Sequence, residues 1–134
     1  MQNAYAILTT IHNAVGGITL LLTIASAVLL LATGRTGGTN TLVLRSTLLA
    51  ASIQFLLGLL LVILGLVVFN VGYVGAYWLH YLLGIVSVGL ISVAVARGRR
   101  APDSEARRYG GMLLGVLVVV LITFLVGQYG RTFA

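Results

Sequence analysis

The residues able to do chemistry in this 134-residue chain are few. There are two histidines, His12 and His80, and each has a glycine four residues on, Gly16 and Gly84. There is no cysteine, which excludes a disulfide, a thiolate metal site and a catalytic thiol. The acids are two, Asp103 and Glu105, set together between arginines. A carboxylate pair working inside an apolar segment is therefore excluded. What remains is imidazole chemistry: metal or pigment ligation, or hydrogen bonding between helices.

A bare metal ion is poorly served. Zinc takes three or four N, S or O ligands, and only two histidines exist. Copper could recruit Met1 or Met112, but Met112 falls near the opposite end of its segment from the histidines. A haem iron held between two histidine nitrogens fits better.

These residues sit in an apolar chain. Hydrophobic residues make up 60% and charged residues 7%, and mean hydropathy is +1.13. A soluble domain of this size carries far more charge. Four apolar segments stand out, at roughly 6–33, 42–69, 74–96 and 111–130, each near the ~20 residues that span a bilayer as a helix. They are too long, and lack the alternation, for barrel strands. The connectors are "GRTGGTN" (34–40), "NVGYVG" (70–75) and "RGRRAPDSEARR" (97–108), the last holding the one proline, Pro102. Short connectors make neighbours antiparallel. The expected fold is an all-α membrane protein: a single antiparallel up-down-up-down four-helix transmembrane bundle over residues 1–134. Nothing resembles a cleaved signal peptide, since the N-terminus lacks a basic region and the first apolar run is long.

Net charge is +6 without any lysine. The arginines flank apolar runs, so they read as topology signals and lipid headgroup contacts, not as a nucleic-acid surface. Arg35, Arg45, Arg97, Arg99, Arg100, Arg107 and Arg108 fall at the first and third connectors, and Arg131 on the other side. The positive-inside rule then puts both termini outside.

The first and third segments run the same way, and each histidine lies about 9 Å into its span from the outer face. Around His12, the residues Tyr5, Gly16, Thr19, Thr23 and Ser26 recur at helical spacing. His80, Gly84 and Ser87 repeat the theme, and the second segment offers Ala50, Gln54, Gly58 and Gly65. Such stripes of small and polar groups face protein, not lipid. Gly58, Gly65, Gly89 and Gly115 are expected at helix–helix contacts. Diagonal helices of a four-helix square stand ~12–14 Å apart. Two imidazoles reaching across leave a gap of about 4 Å, room for one metal atom at ~2 Å from each nitrogen. Gly16 and Gly84 would remove the side chains that strike a porphyrin.

The stretches "IHNAVGGITLLL", "IQFLLGLLLVILGL" and "WLHYLLGIVSVGL" resemble one four-helix haem-binding half of heme A synthases, in which a ligand histidine opens one helix, a Gln-x-x-x-Gly helix follows and a second ligand histidine opens the next. The order of helices and the basic loop before the last one are also similar to small four-helix cytochrome b-like membrane proteins of bacteria. The resemblance covers about residues 6–130 and implies a single bis-histidine haem b, with His12 and His80 as ligands and Gln54 and Gly58 beside them. The chain has one such half, and Thr9, Thr10, Ile11 and Asn13 stand around His12 where the family's substrate half carries an acid. Oxidation of a haem methyl group is therefore not expected.

The expected function is a membrane haem protein of a bacterial or archaeal cytoplasmic membrane. It would carry electrons or serve a larger respiratory assembly as a haem-carrying subunit, either singly or as a homo-oligomer, and would be a carrier more than a stand-alone enzyme. Tyr5, Tyr77, Trp78 and Tyr81 are expected around the outer mouth of the site, as interfacial anchors or as a place where a quinone docks. Thr19 or Gln54 would reach a propionate. Two alternatives stand beside this reading: a cofactor-free accessory subunit of a larger membrane complex, and a chlorophyll or carotenoid protein using one histidine per pigment.

Overall fold

A computed structural model describes residues 1–129. Five helices follow one another: α1 (Gln2–Thr33), α2 (Thr39–Val68), the single turn α3 (Val71–Gly75), α4 (Trp78–Gly98) and α5 (Ala106–Tyr129). Four of them, α1, α2, α4 and α5, lie in segments long and apolar enough to cross a membrane. The chain is an integral membrane helical protein. Arg131 and the last residue of the expected fourth segment lie outside the described residues.

Local chemistry sets the breaks. Gly34 ends α1 in the left-handed region, at φ 61°, and returns its N–H to the Leu30 carbonyl. Arg107 lies against this end, its Nε 3.6 Å from where a Gly34 Cβ would be, so a cation meets the negative pole of the helix. The sequence puts the third span's start near residue 74. Instead, the Asn70 side chain accepts the Tyr73 N–H at 2.8 Å and caps a separate turn. The long helix then begins at Trp78.

The helices form a square. α1 packs against α2 and α5, and α4 packs against α5 and α2, so α1 and α4 face each other across a diagonal. The two ends of the square differ. Near the arginine-bearing connectors, Ala27, Leu30, Leu44, Ile91, Val95, Ala106 and Leu113 form a closed apolar core. Gly110 lets α5 meet the α1 backbone there: a Cβ would stand 3.1 Å from the Ala27 carbonyl oxygen and 2.8 Å from Leu31 Cγ. The hydroxyls of Ser26 and Thr47 bond each other at 2.7 Å between α1 and α2. The Thr36 N–H donates to the Asp103 carboxylate at 2.8 Å, and the Thr36 hydroxyl donates to the Ala101 carbonyl at 2.9 Å. These bonds tie the first connector to the third. Outward, Leu21, Leu49, Leu56, Ile63 and Val67 are exposed, as lipid-facing side chains should be.

Gly89 and Gly115 also face outward, with nothing within 4 Å of a Cβ. The helix–helix contacts expected of them are not made among the described residues. Gly58 and Gly65 do sit against neighbours, the His12 ring and Val74 respectively.

Candidate functional site

Toward the other end the square opens into a cavity of about 320 Å³. Its walls come from all four long helices and α3. Tyr5, His12 and Gly16 contribute from α1, Gln54 and Gly58 from α2, Tyr73 from α3, His80, Tyr81, Gly84 and Ser87 from α4, and Thr123, Phe124 and Gly127 from α5, with Tyr77 just before α4. No charged side chain lines it among the described residues. The volume is that of a small-ligand pocket, and such pockets in bundles lie between helices.

Both histidines open onto this cavity. Their ring centroids are 6.1 Å apart and their planes cross at 81°. Each ring is tied to the next helix round the square. His80 Nδ1–H donates to the Thr123 carbonyl at 3.0 Å, which leaves the lone pair on Nε2. Thr123 is itself held, its hydroxyl bonding the Val119 carbonyl at 2.7 Å and the Ser87 hydroxyl at 2.8 Å. An imidazole oriented by a backbone carbonyl through one nitrogen, with the other left to accept, has the arrangement of a metal-ligating histidine.

His12 is tied less completely. The Gln54 amide Nε2 donates to His12 Nε2 at 3.1 Å. Among the described residues, His12 Nδ1 and Gln54 Oε1 are both buried without a hydrogen-bond partner. An unsatisfied buried polar atom costs about 1–3 kcal/mol, so this half of the site holds an unresolved tension that the His80 half lacks.

Glycines make room for both rings, on different helices from those the histidines occupy. A Cβ at Gly58 would stand 3.2 Å from His12 Cε1, and one at Gly127 would stand 2.6 Å from His80 Cε1. Gly16 makes room for the Gln54 amide, 3.1 Å from where its Cβ would be. Gly84 meets nothing within 4 Å and lines open cavity.

Aromatic rings continue from the histidines toward the connector between α2 and α4. His80 and Tyr81 are 6.1 Å apart, Tyr81 and Tyr77 6.5 Å, Tyr77 and Tyr73 5.8 Å, and Tyr73 stacks on Phe69 at 4.3 Å. Tyr5 meets Phe69 edge-on at 5.1 Å.

Comparison with known protein families, curated proteins and solved structures finds no match to this chain.

The six residues singled out in the sequence, His12, Gly16, Gln54, Gly58, His80 and Gly84, all line the cavity. Tyr5, Tyr77 and Tyr81 line it as well, but Trp78 does not: it is 63% exposed on the outer surface of α4. Trp78 lies two residues before the cavity-lining His80 on α4, about 200° from it around the helix. Thr19 also lines the cavity, with its hydroxyl donating to the Val15 carbonyl at 2.9 Å. Sequence reasoning passed over Tyr73, Thr123, Phe124 and Gly127. The pair Thr123 and Gly127 carried a signal, a polar residue and a glycine one turn apart in an apolar run, the same pattern that marked Gln54 and Gly58.

Proposed function

We propose that the chain is a haem b-binding membrane protein in which His12 and His80 would hold the iron. The observation that carries this reading is the meeting of two imidazoles, from diagonal helices, in one uncharged cavity. The two ring centroids stand 6.1 Å apart in that cavity, so both imidazoles would be within reach of one group held between them. The donor set points the same way. Among the described residues no group of three or more His, Cys, Asp or Glu could hold a bare ion. A porphyrin brings four donors of its own and needs only two.

In this reading His80, oriented by the Thr123 carbonyl, is the fixed ligand, and His12 ligates once its Nε2 leaves Gln54. Gly84 and the open cavity beside it leave space for the macrocycle. Haem would supply one-electron redox chemistry, and two histidine ligands would favour electron transfer over substrate binding at iron. The protein would be an electron carrier, or a haem-carrying subunit of a respiratory assembly, in a bacterial or archaeal cytoplasmic membrane with its termini outside. The tyrosine-lined mouth is where a quinone would approach. The resemblance to half of a heme A synthase supports the ligand pair.

The test is hemin titration of the purified protein in detergent, followed by reduced-minus-oxidised spectra. The expected result is one haem per chain with a six-coordinate, low-spin Soret band. His12→Ala and His80→Ala should each lose haem or turn it into a five-coordinate, CO-binding form. Retention of the low-spin six-coordinate spectrum in both variants would refute the ligand assignment.

A second reading draws on the hydrogen bonds of the two rings. His12 joins α1 to α2 through Gln54, and His80 joins α4 to α5 through Thr123, as structural histidines in membrane bundles do. The chain would then be a cofactor-free accessory subunit. A colourless protein that takes up no added hemin, and whose histidine variants are destabilised, favours this alternative.

A further inference from the structure

We infer that Gln54 is a positioning residue for His12, an amide latch that releases Nε2 to a metal by moving its own oxygen to Nδ1–H. The inference rests on the haem reading and adds to it that the two ligands are unequal. Of the four polar atoms on this pair, two bond each other, Gln54 Nε2 and His12 Nε2. The other two, His12 Nδ1 and Gln54 Oε1, are buried and unpartnered among the described residues. With Nε2 accepting, Nδ1 carries the proton, so the orphans are one donor and one acceptor on adjacent side chains. A single shift of the amide along the ring edge satisfies both, and it vacates the nitrogen lone pair at Nε2 in the same motion.

Two glycines flank the course of that shift. The ring edge from Nε2 through Cε1 to Nδ1 runs along α2. Gln54 lies at its Nε2 end, and Gly58, one turn on, lies beside Cε1 and Nδ1, its Cβ position 3.2 and 3.8 Å from them. Any side chain at residue 58 would block the path. Gly16 keeps the amide's other flank clear, since a Cβ there would stand 3.1 Å from Gln54 Nε2. The opposite ligand has no such freedom. His80 Nδ1–H is bonded to a backbone carbonyl in the middle of α5. His80 is thus a permanent ligand and His12 a conditional one, with Gln54 deciding between a closed and a ligating ring. An oriented acceptor on the far nitrogen raises the basicity of a ligating imidazole, and losing such a partner costs 10- to 100-fold in metal affinity.

The experiment uses full-length protein, hemin as the probe and three chains: wild type, Gln54→Leu and Gln54→Glu, each checked for helicity before use. Gln54→Leu should bind hemin about 10- to 100-fold more weakly, and its reduced form should take up CO on the His12 side. Gln54→Glu keeps an acceptor for Nδ1–H, so it should restore affinity and shift the midpoint potential downward. In haem-free wild type, ¹⁵N spectra should show His12 as the Nδ1–H tautomer with Nε2 accepting. A Gln54→Leu chain with wild-type hemin affinity and no CO uptake overturns the latch alone. So do Leu and Glu variants weakened equally with an unchanged midpoint. A wild-type chain that takes up no hemin overturns the haem reading, and the latch with it.

Discussion

Gly127 forms the floor beneath the His80 ring, with a Cβ position 2.6 Å from Cε1 and 2.8 Å from Nδ1. A ring held at 3.0 Å to the Thr123 carbonyl cannot retreat without giving up that bond. Gly127→Ala should therefore act as overpacking, lowering stability by about 1–3 kcal/mol and weakening hemin uptake. Gly84→Ala, which meets open space, should cost no stability. Thermal unfolding in detergent, with and without hemin, compares the two.

At the other end of α5, Gly110 is pressed against α1 while Gly115 is not. Gly110→Ala places a methyl group 3.1 Å from the Ala27 carbonyl oxygen and the Leu31 nitrogen, backbone atoms that cannot rotate away. A loss of about 1–3 kcal/mol is expected. Gly115→Ala should be neutral or slightly stabilising, through helix propensity. Thermal unfolding of the two variants, separated by five residues on one helix, should differ in sign or nearly so.

The bond from Thr36 N–H to Asp103 should be readable by hydrogen exchange. Asp103→Ala removes the acceptor of both Thr36 donors, though the hydroxyl keeps the Ala101 carbonyl. Exchange of the Thr36 amide should quicken, with hemin affinity unchanged because the bond lies at the far end from the cavity. Equal protection in the variant would show that the connectors are held by something else.

Orientation can be tested directly, because the chain has no cysteine of its own. Gly37→Cys and Val71→Cys each place a thiol at an exposed site at opposite ends of the bundle. The arginines at the first and third connectors predict that a membrane-impermeant maleimide labels residue 71 in intact spheroplasts and residue 37 only after lysis. The reverse pattern would turn the protein over.

The sequence made much of the bundle legible, and the reason is physical. In a bilayer every spanning helix must bury its polar stripe against protein. Thr19, Thr23 and Ser26 therefore announced an interior face that the structure does bury. His12, Gln54 and His80 were visible for the same reason, as polar groups in apolar runs. What could not be read was which helix each ring leans on. Gly127 is 47 positions after His80 in the chain, and its role exists only once α4 and α5 are side by side. Gly16, expected to clear room for a macrocycle beside His12, lines the cavity and lies against the amide that bonds that histidine. Trp78 was misplaced because proximity to the aromatic cluster does not give the direction of a side chain on a helix.

One end of the bundle is solid and the other hollow, and this gives the molecule an uneven mechanical character. Where Leu30, Leu44, Ile91 and Leu113 are fully enclosed, the four spans act as a clamp's pivot. Beyond it they are arms with little between them but the two rings and the tyrosines. Local opening should begin at the arms, where fewer apolar contacts resist it. Whatever fills the hollow would then work as a missing piece of interior, stiffening the arms by mass action on the folded form and making the fold's own rigidity a gauge of its cargo.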